Sequence, residues 1–163
     1  MANDWMNDDG LYIKFGTKEG KVIGGGEFQK GALGNEHYIE FIVDTTYLDG
    51  TTLTFLSDTL TLPGDCFLYR AEFEVEVAFD SAGEGATISF GLYDTDRTTA
   101  YDADGIDVQV AEAAIDGVGD TIVCDGALVG TRLANNTPCY VTALVETEAF
   151  TAGKGRLKLW YYF

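Results

Sequence analysis

The sequence predicts an all-β protein, an antiparallel, jelly-roll-like β-sandwich with an extended N-terminal arm. Three observations support this fold class. Apolar and polar residues alternate with period two in several stretches, glycine-containing turns separate these stretches, and helical propensity is confined to residues 110–115. With 163 residues, 46% of them hydrophobic, the chain can bury one sizeable core. We expect an arm at residues 1–10 and a single domain at residues 11–163.

The clearest predicted strand covers residues 69–79. Its apolar positions are Tyr69, Ala71, Phe73, Val75, Val77 and Phe79, and its polar positions are Arg70, Glu72, Glu74 and Glu76. This alternation predicts that Phe73, Val75 and Val77 lie in the core. It also predicts that the three glutamates form a solvated stripe unless a partner covers them.

Other strands are predicted on both sides of this one. Alternation indicates strands at 87–93, 139–145 and 155–163, and weaker patterns indicate strands at 11–15, 37–43, 51–56, 107–110 and 121–124. In the last strand, Leu157, Leu159, Tyr161 and Phe163 are expected to point inward, and Trp160 and Tyr162 outward. The helical stretch at 110–115 is long enough for one or two turns.

The charge distribution argues against two classes of partner. The formal net charge is -17, and residues 31–153 hold three arginines against 22 acids. Such a surface repels phosphate backbones and anionic lipids, so we expect no nucleic-acid and no membrane partner. No apolar run reaches the length of a membrane span, and the first ten residues lack the features of a signal peptide. The mature chain is therefore expected to start at or near Met1.

The residues that could support catalysis or metal binding are few. The sequence has one histidine, His37, and three serines outside any nucleophile-elbow motif, so no catalytic residue is assigned. Three cysteines lie far apart in apolar stretches, which indicates buried, reduced thiols and no zinc site: Cys66, Cys124 and Cys139. No cofactor is expected.

One acid-rich stretch offers oxygen ligands of the kind that calcium prefers. Its carboxylates belong to Asp94, Asp96, Asp102, Asp104 and Asp107. The spacing does not fit an EF-hand loop, because Ala100 and Ala111 occupy the first and twelfth positions when Gly105 is the sixth. Turns capped by aspartate side chains are the expected structure, and calcium binding is left open.

Several motifs resemble those of small β-rich virion structural proteins of tailed bacteriophages, most of all head decoration (cement) proteins. The motifs are DGLYIKFGT, ISFGLYD, DADGID, DGALVG and TAGKGRLKLWYYF, and the resemblance covers residues 9–17 and 69–163. It implies a non-enzymatic protein that is made in the host bacterial cytoplasm, binds the exterior of a phage capsid and stabilises it, often as a trimer. The implied partners are the major capsid protein or other virion proteins, and further copies of the same chain.

Two alternatives stay open, the first because residues 18–65 match no known pattern. The chain could be a tail or fibre β-domain. It could also be a carbohydrate-binding module that uses Tyr93, Tyr101 and Tyr140 as an aromatic platform.

The expected partner-binding residues lie near the two ends of the chain, where charge and aromatic content differ from the acidic body. Near the N-terminus they are Trp5, Met6, Lys14, Lys18 and Lys21. In the last strand they are Trp160 and Tyr162, whose rings would be wet in a monomer.

Overall fold

A computed structural model describes residues 36–48 and 50–163, and the backbone of three short strands before them. The strands are β1 (Asp4–Met6), β2 (Tyr12–Lys14), β3 (Glu27–Gln29), β4 (Glu36–Asp44), β5 (Leu53–Phe55), β6 (Thr61–Leu62), β7 (Phe67–Ser81), β8 (Thr87–Tyr93), β9 (Ala100–Ala111), β10 (Thr121–Val123), β11 (Thr131–Arg132), β12 (Cys139–Glu146) and β13 (Phe150–Tyr162). A single 3₁₀ turn, Glu112–Ala114, lies within the stretch where helical propensity was expected.

The strands form two main antiparallel sheets. The larger has the order β10-β7-β13-β4-β3, with β11 also paired to β7, and the smaller has the order β5-β12-β8-β9, with β6 also paired to β12. Long strands that are distant in sequence pair at the centre of each sheet, β7 with β13 and β8 with β12.

The core lies between these two sheets and contains side chains from both. Phe73 of β7 is fully buried, and its ring lies 5.0 Å from that of Phe90 of β8 and 5.6 Å from that of Phe79. Leu157, Leu159 and Tyr161 of β13 are buried beside them, as expected. The alternation that predicted the strands therefore also predicted which faces meet, and the all-β antiparallel sandwich is confirmed.

Two facing predictions in β7 are wrong because the strand contains irregularities. Trp160 pairs with Arg70 and Tyr161 with Leu68, so one extra residue in β7 leaves Leu68 buried and turns Tyr69 away from the core. A second irregularity lies opposite Lys154 and Gly155 of β13, which pair with Val77 and Val75 of β7, so that one extra residue of β7 falls between these pairs. Val77, which was expected in the core, is 48% exposed.

The inward orientation predicted for Phe163 is also wrong. The ladder of β13 ends at Tyr162, so Phe163 lies beyond the last paired residue and is 57% exposed. Its ring contacts His37 and Tyr161 edge-on, with centroid distances of 5.3 and 6.0 Å.

The acid-rich stretch contains more strand than expected. Strand β9 begins at Ala100. Asp102 of β9 pairs with Leu92 of β8, and Asp107 pairs with Phe90, so β9 has more residues than β8 between these two pairs and forms a bulge there. A Cβ atom added at Gly91 would lie 2.1 Å from the carbonyl oxygen of Ala103, so only glycine fits beneath this bulge.

The N-terminal region contains strand pairing that was not expected. Strands β1 and β2 pair antiparallel, with Trp5 opposite Ile13, and form a two-stranded sheet of their own. Part of the expected arm is therefore one strand of a hairpin, and the expected boundary after residue 10 falls between its two strands. In the part of the chain that the structure describes, no helix is long and apolar enough to cross a membrane.

Candidate interaction surface

The outer face of the larger sheet is formed by alternate residues of β7, β13 and β4. Because side chains alternate along a strand, burial of Leu157 and Leu159 turns their neighbours outward. The outward side chains of β13 are Lys154, Arg156, Lys158, Trp160 and Tyr162. They divide the face into an ionic half, around residues 154–158, and an aromatic half, around residues 160–162.

In the ionic half, each basic side chain contacts a carboxylate of a neighbouring strand. Arg156 contacts Glu76 of β7 on one side and donates a 2.5 Å hydrogen bond to Glu40 of β4 on the other. Lys158 pairs with Glu74, and Lys154 lies 3.7 Å from Glu76. The three strands are thus joined by ion pairs across their outer side.

This arrangement changes the protonation equilibria of its members. Hydrogen bonds to Glu76 and Glu40 raise the pKa of Arg156. Burial acts to raise the pKa of Glu40, but hydrogen bonds from Tyr38 and Arg156 outweigh it and hold that pKa below its ordinary value. Burial and the bond to Glu40 raise the pKa of Tyr38. Both shifts favour the charged forms of Arg156 and Glu40 at neutral pH.

The aromatic half begins where β13 changes from basic to aromatic residues. The ring of Trp160 lies 5.1 Å from that of Tyr38, and the guanidinium of Arg70 lies over it at 4.8 Å from the centroid. The ring of Tyr162 stacks on Phe67 at 4.9 Å. Tyr162 is 39% exposed, so apolar ring surface remains accessible at this end of the face.

The border of the aromatic half is fixed by hydrogen bonds and ring contacts. Tyr69, turned outward by the β7 bulge, lies 5.7 Å from the ring of Tyr162, and its hydroxyl donates to the carboxylate of Glu36. On the opposite, core-facing side of the sheet, the His37 ring stacks on the buried Tyr161 at 5.2 Å, so the only histidine of the chain lies behind the aromatic half and is not part of it.

The structure locates the predicted partner-binding residues to different extents. Trp160 and Tyr162 lie together on the outer face, in the expected orientation. Trp5 and Met6 lie in β1 and Lys14 lies in β2, and only their backbone pairing is described. Lys18 and Lys21 lie outside the described residues.

Sequence reasoning missed the basic residues that organise this face. The glutamates of β7 were expected to be a solvated stripe, yet Glu74 and Glu76 pair with side chains of β13. A usable signal was present, because basic residues at positions 154, 156 and 158 repeat with the same period of two as the acids at 72, 74 and 76.

The three tyrosines considered for a carbohydrate platform do not form one flat surface. Tyr93 and Tyr140 are paired in register, but both meet Phe55 edge-on, and the Arg97 guanidinium lies 4.3 Å above the Tyr140 ring. Tyr101 is packed against the core, and its hydroxyl accepts a hydrogen bond from the Ala134 amide.

Among the aspartates of the acid-rich stretch, Asp96 has the clearest local role, which is structural. It accepts bonds from the amides of Thr98 and Thr99 and from the Thr99 hydroxyl, at 2.7 to 2.9 Å, and these bonds lower its pKa. This is the expected capped turn. Within residues 36–48 and 50–163, no three or more His, Cys, Asp or Glu side chains are grouped so that they could hold a metal ion.

The three cysteines are buried and free, as expected. Burial raises the pKa of the Cys66 thiol to about 12, and burial also raises the pKa of Cys124 and of Cys139. Thiolate forms are therefore disfavoured at neutral pH, which suits a packing role.

One polar cluster joins three parts of the chain and was not expected from the sequence. The Ser81 hydroxyl lies 2.5 Å from Glu112 in the 3₁₀ turn and 2.7 Å from Glu148 in the β12–β13 turn. Glu148 also accepts bonds from the amides of Gly83 and Gly85, and these bonds lower its pKa. The cluster fastens both turns to the end of β7.

Comparison with known proteins yields structural likeness only. No family model matches the chain, and no curated protein matches it. Its fold is similar to that of a chain in the acidic stable capsid structure of Helicobacter pylori bacteriophage KHP30, at 15% identity over 85% of this chain and 93% of that chain, with a TM-score of 0.50. A chain in the cyanophage Pam1 capsid asymmetric unit aligns over 97% of both chains at 18% identity, with a TM-score of 0.45. At such low identity, the first likeness identifies a shared sandwich fold.

Proposed function

We propose that this chain is a non-enzymatic structural protein of a bacteriophage virion, specifically a head decoration (cement) protein that binds the exterior of the capsid and stabilises it. The observation that carries the proposal is the fold that it shares, over 85% of its length, with a chain of a phage capsid. The sequence motifs that resemble those of decoration proteins lie largely in the same sandwich.

The distribution of charge supports a position on the outside of a particle. Between residues 36 and 163, six basic residues stand against 22 acids, and each of the six contacts a carboxylate of its own chain. The unpaired charge that faces solvent is therefore strongly negative. Such a surface is repelled by packaged nucleic acid and is compatible with the exterior of a shell.

The aromatic half of the outer face supplies the proposed contact with the major capsid protein or another virion protein. Aromatic rings and arginine are the side chains that most often dominate binding energy at protein interfaces. Trp160 and Tyr162 of β13, with Arg70 of the adjacent β7 over the Trp160 ring, combine these features on two paired central strands.

The N-terminal residues supply a second proposed attachment, through Trp5 and Met6 and the lysines at positions 14, 18 and 21. We propose that the protein acts as a homotrimer at its place on the particle. The nested pairing of β7 with β13 and of β8 with β12 supports describing the sandwich as jelly-roll-like.

The proposal is tested by adding the purified protein to phage heads assembled without it. We expect the protein to co-sediment with the heads, to appear as extra density on their outer surface, and to raise the temperature at which they rupture. Heads that bind none of it, or that take it up only inside, would contradict the proposal. A matched protein with the aromatic half altered, Trp160→Ala with Tyr162→Ala, serves as the control for specific attachment.

A further inference from the structure

The edge of the larger sheet at β10 presents backbone groups that face away from the molecule. Strand β10 pairs with β7, and the pairing extends beyond it, since the Val75 amide donates to Asp120 and the Cys124 amide donates to Ala71, at 2.8 and 3.0 Å. In an antiparallel pair, every second residue of a strand directs its backbone N–H and C=O groups to the same neighbouring strand, and the residues in between direct theirs to the opposite side. The N–H and C=O groups of Thr121 and Val123 therefore point toward the open edge, where another strand can pair with them.

Exposed valines lie in and next to β10, and the residues on both sides of the strand are acidic. Val123 is 66% exposed, and Val118 in the preceding turn is 74% exposed. Residues 112–130 contain four acids, among them Asp116, Asp120 and Asp125, and no lysine or arginine. Edge strands commonly carry a lysine that discourages pairing with other chains, and this one does not.

The N-terminal hairpin has the complementary properties. Strands β1 and β2 form a sheet of two strands, separate from both main sheets. A lone two-stranded hairpin is marginally stable in water, so a third strand would stabilise it. Strand β2 ends at Lys14, and residues 12–21 hold three lysines against one glutamate.

We infer that β2 of one copy adds to the open edge of β10 in a second copy, where main-chain bonds give affinity and the positive charge of residues 12–21 complements the acidic border. This inference rests on the proposed function, because it names the neighbour that the N-terminal residues attach to. The strand that is added, β2, and the edge that receives it, β10, are different parts of the chain. A head-to-tail contact of this kind closes into a ring, such as a trimer, when the rotation allows.

A second copy is favoured over the same chain by the positions of the strands. The hairpin rejoins the larger sheet through β3 and β4, on the opposite side of β13 from β10. The β10 edge of the same chain therefore lies at the far side of the sheet from the strands that follow the hairpin. Pairing between copies leaves the proposed shell contact uncovered.

The first test compares two matched substitutions on exposed edge valines. Val123→Lys places a charge at the open edge of β10, and Val108→Lys makes the same change on β9, the edge strand of the smaller sheet. We expect Val123→Lys to weaken self-association by about tenfold or more in sedimentation equilibrium. Val108→Lys should associate like the wild type, and both should keep the wild-type circular dichroism. Equal self-association of the two variants would overturn the inference.

The second test identifies the pairing strands and distinguishes contacts between chains from contacts within one chain. One variant carries Ile13→Cys and another Val123→Cys, and a short bis-maleimide reagent is added to their mixture. The native cysteines are buried, so the added ones should react first. We expect a linked product of twice the 17.7 kDa chain mass that contains one of each variant.

Absence of that mixed product would overturn the inference, and so would a double variant that links only within its own chain. Neither test uses phage heads. A failure to bind heads with hairpin exchange intact would therefore count against the proposed function alone.

Discussion

The two halves of the outer face lie on the same strand, β13, yet they use their side chains differently. In the ionic half, Lys154, Arg156 and Lys158 are each engaged by glutamates of the neighbouring strands. In the aromatic half, Trp160 and Tyr162 pack against neighbouring rings, Trp160 is only partly buried, and Tyr162 remains 39% exposed.

The difference shows which half has interactions left to offer a partner. An ion pair that is already formed gains little from a second partner, and a partner that covers it must remove water from both charges. Exposed ring surface gains from being covered, because burial of apolar area is favourable. The ionic half therefore holds the sheet together, and the aromatic half is the part suited to recognition.

Both halves of the outer face lie on one packed core, and a substitution that disrupts this core should have the largest effect. Phe73→Ala removes a ring that contacts Phe79 and Phe90, and it should lower the free energy of unfolding by about 3 to 5 kcal/mol. Glu74→Ala, on the outer side of the same strand, breaks one partly exposed ion pair and should cost about 1 kcal/mol or less. Urea denaturation measures both, and equal costs would contradict the facing assigned to β7.

Removing the N-terminal attachment should have the next largest effect, and it should act on binding. Trp5→Ala, or deletion of residues 1–10, should leave the sandwich folded and weaken attachment to heads or to neighbouring copies by at least about 2 kcal/mol. Added salt should weaken attachment less, because it screens only the lysine contribution. A truncated protein that decorates heads at wild-type occupancy would exclude this segment from the mechanism.

The contribution of the ionic half to the free energy of unfolding should depend on pH. Arg156→Leu should cost about 1 kcal/mol at pH 7, since the side chain is partly exposed and the pairs are screened. The folded-state pKa of Glu40 is lowered, so its contribution is complete above the ordinary value of 4.5 and is lost as the pH falls through the lowered value. Between about pH 5 and pH 3, the wild type should therefore lose more stability than the variant does. Parallel pH profiles in thermal unfolding would argue against this role.

Replacement of Arg70, whose guanidinium lies over the Trp160 ring, should have the smallest effect on the free energy of unfolding. Arg70→Met keeps much of the apolar stem but removes the guanidinium, and with it both the contact over the Trp160 ring and the exposed ion pair with Glu72. It should lower the free energy of unfolding by about 0.5 to 1 kcal/mol. Arg70→Lys should recover part of the loss. The pair of variants is compared by urea denaturation, and a gain in stability on removing the charge would contradict the assigned contact.

Much of the fold could be predicted because period-two alternation directly reflects burial on one face. The buried positions of β13, such as Leu157 and Leu159, follow from it. Tyr69 and Val77 could not be placed, because a β-bulge inserts one residue without any local sequence signal. The short strands β2, β5 and β10 lie within predicted stretches, but β1, β3, β6 and β11 escaped detection, since two or three residues show no periodicity.

The candidate site was predicted in part for a similar reason. Trp160 and Tyr162 stand out as aromatics on the polar side of an alternating strand. The roles of Arg70 and Arg156 depend on which strands lie beside β13, and that order is set by contacts between residues up to 116 positions apart. Composition shows that acids and bases are present, but not which of them meet.

The assignment of recognition to the aromatic half is tested most directly by a binding comparison on heads assembled without the protein. Trp160→Ala with Tyr162→Ala should weaken binding by at least about 2 kcal/mol, or roughly thirtyfold in dissociation constant. Lys158→Gln with Glu74→Gln, which alters the ionic half without a change in net charge, should bind like the wild type. Circular dichroism verifies that both proteins are folded. If the ionic variant loses binding while the aromatic variant retains it, the assignment is contradicted.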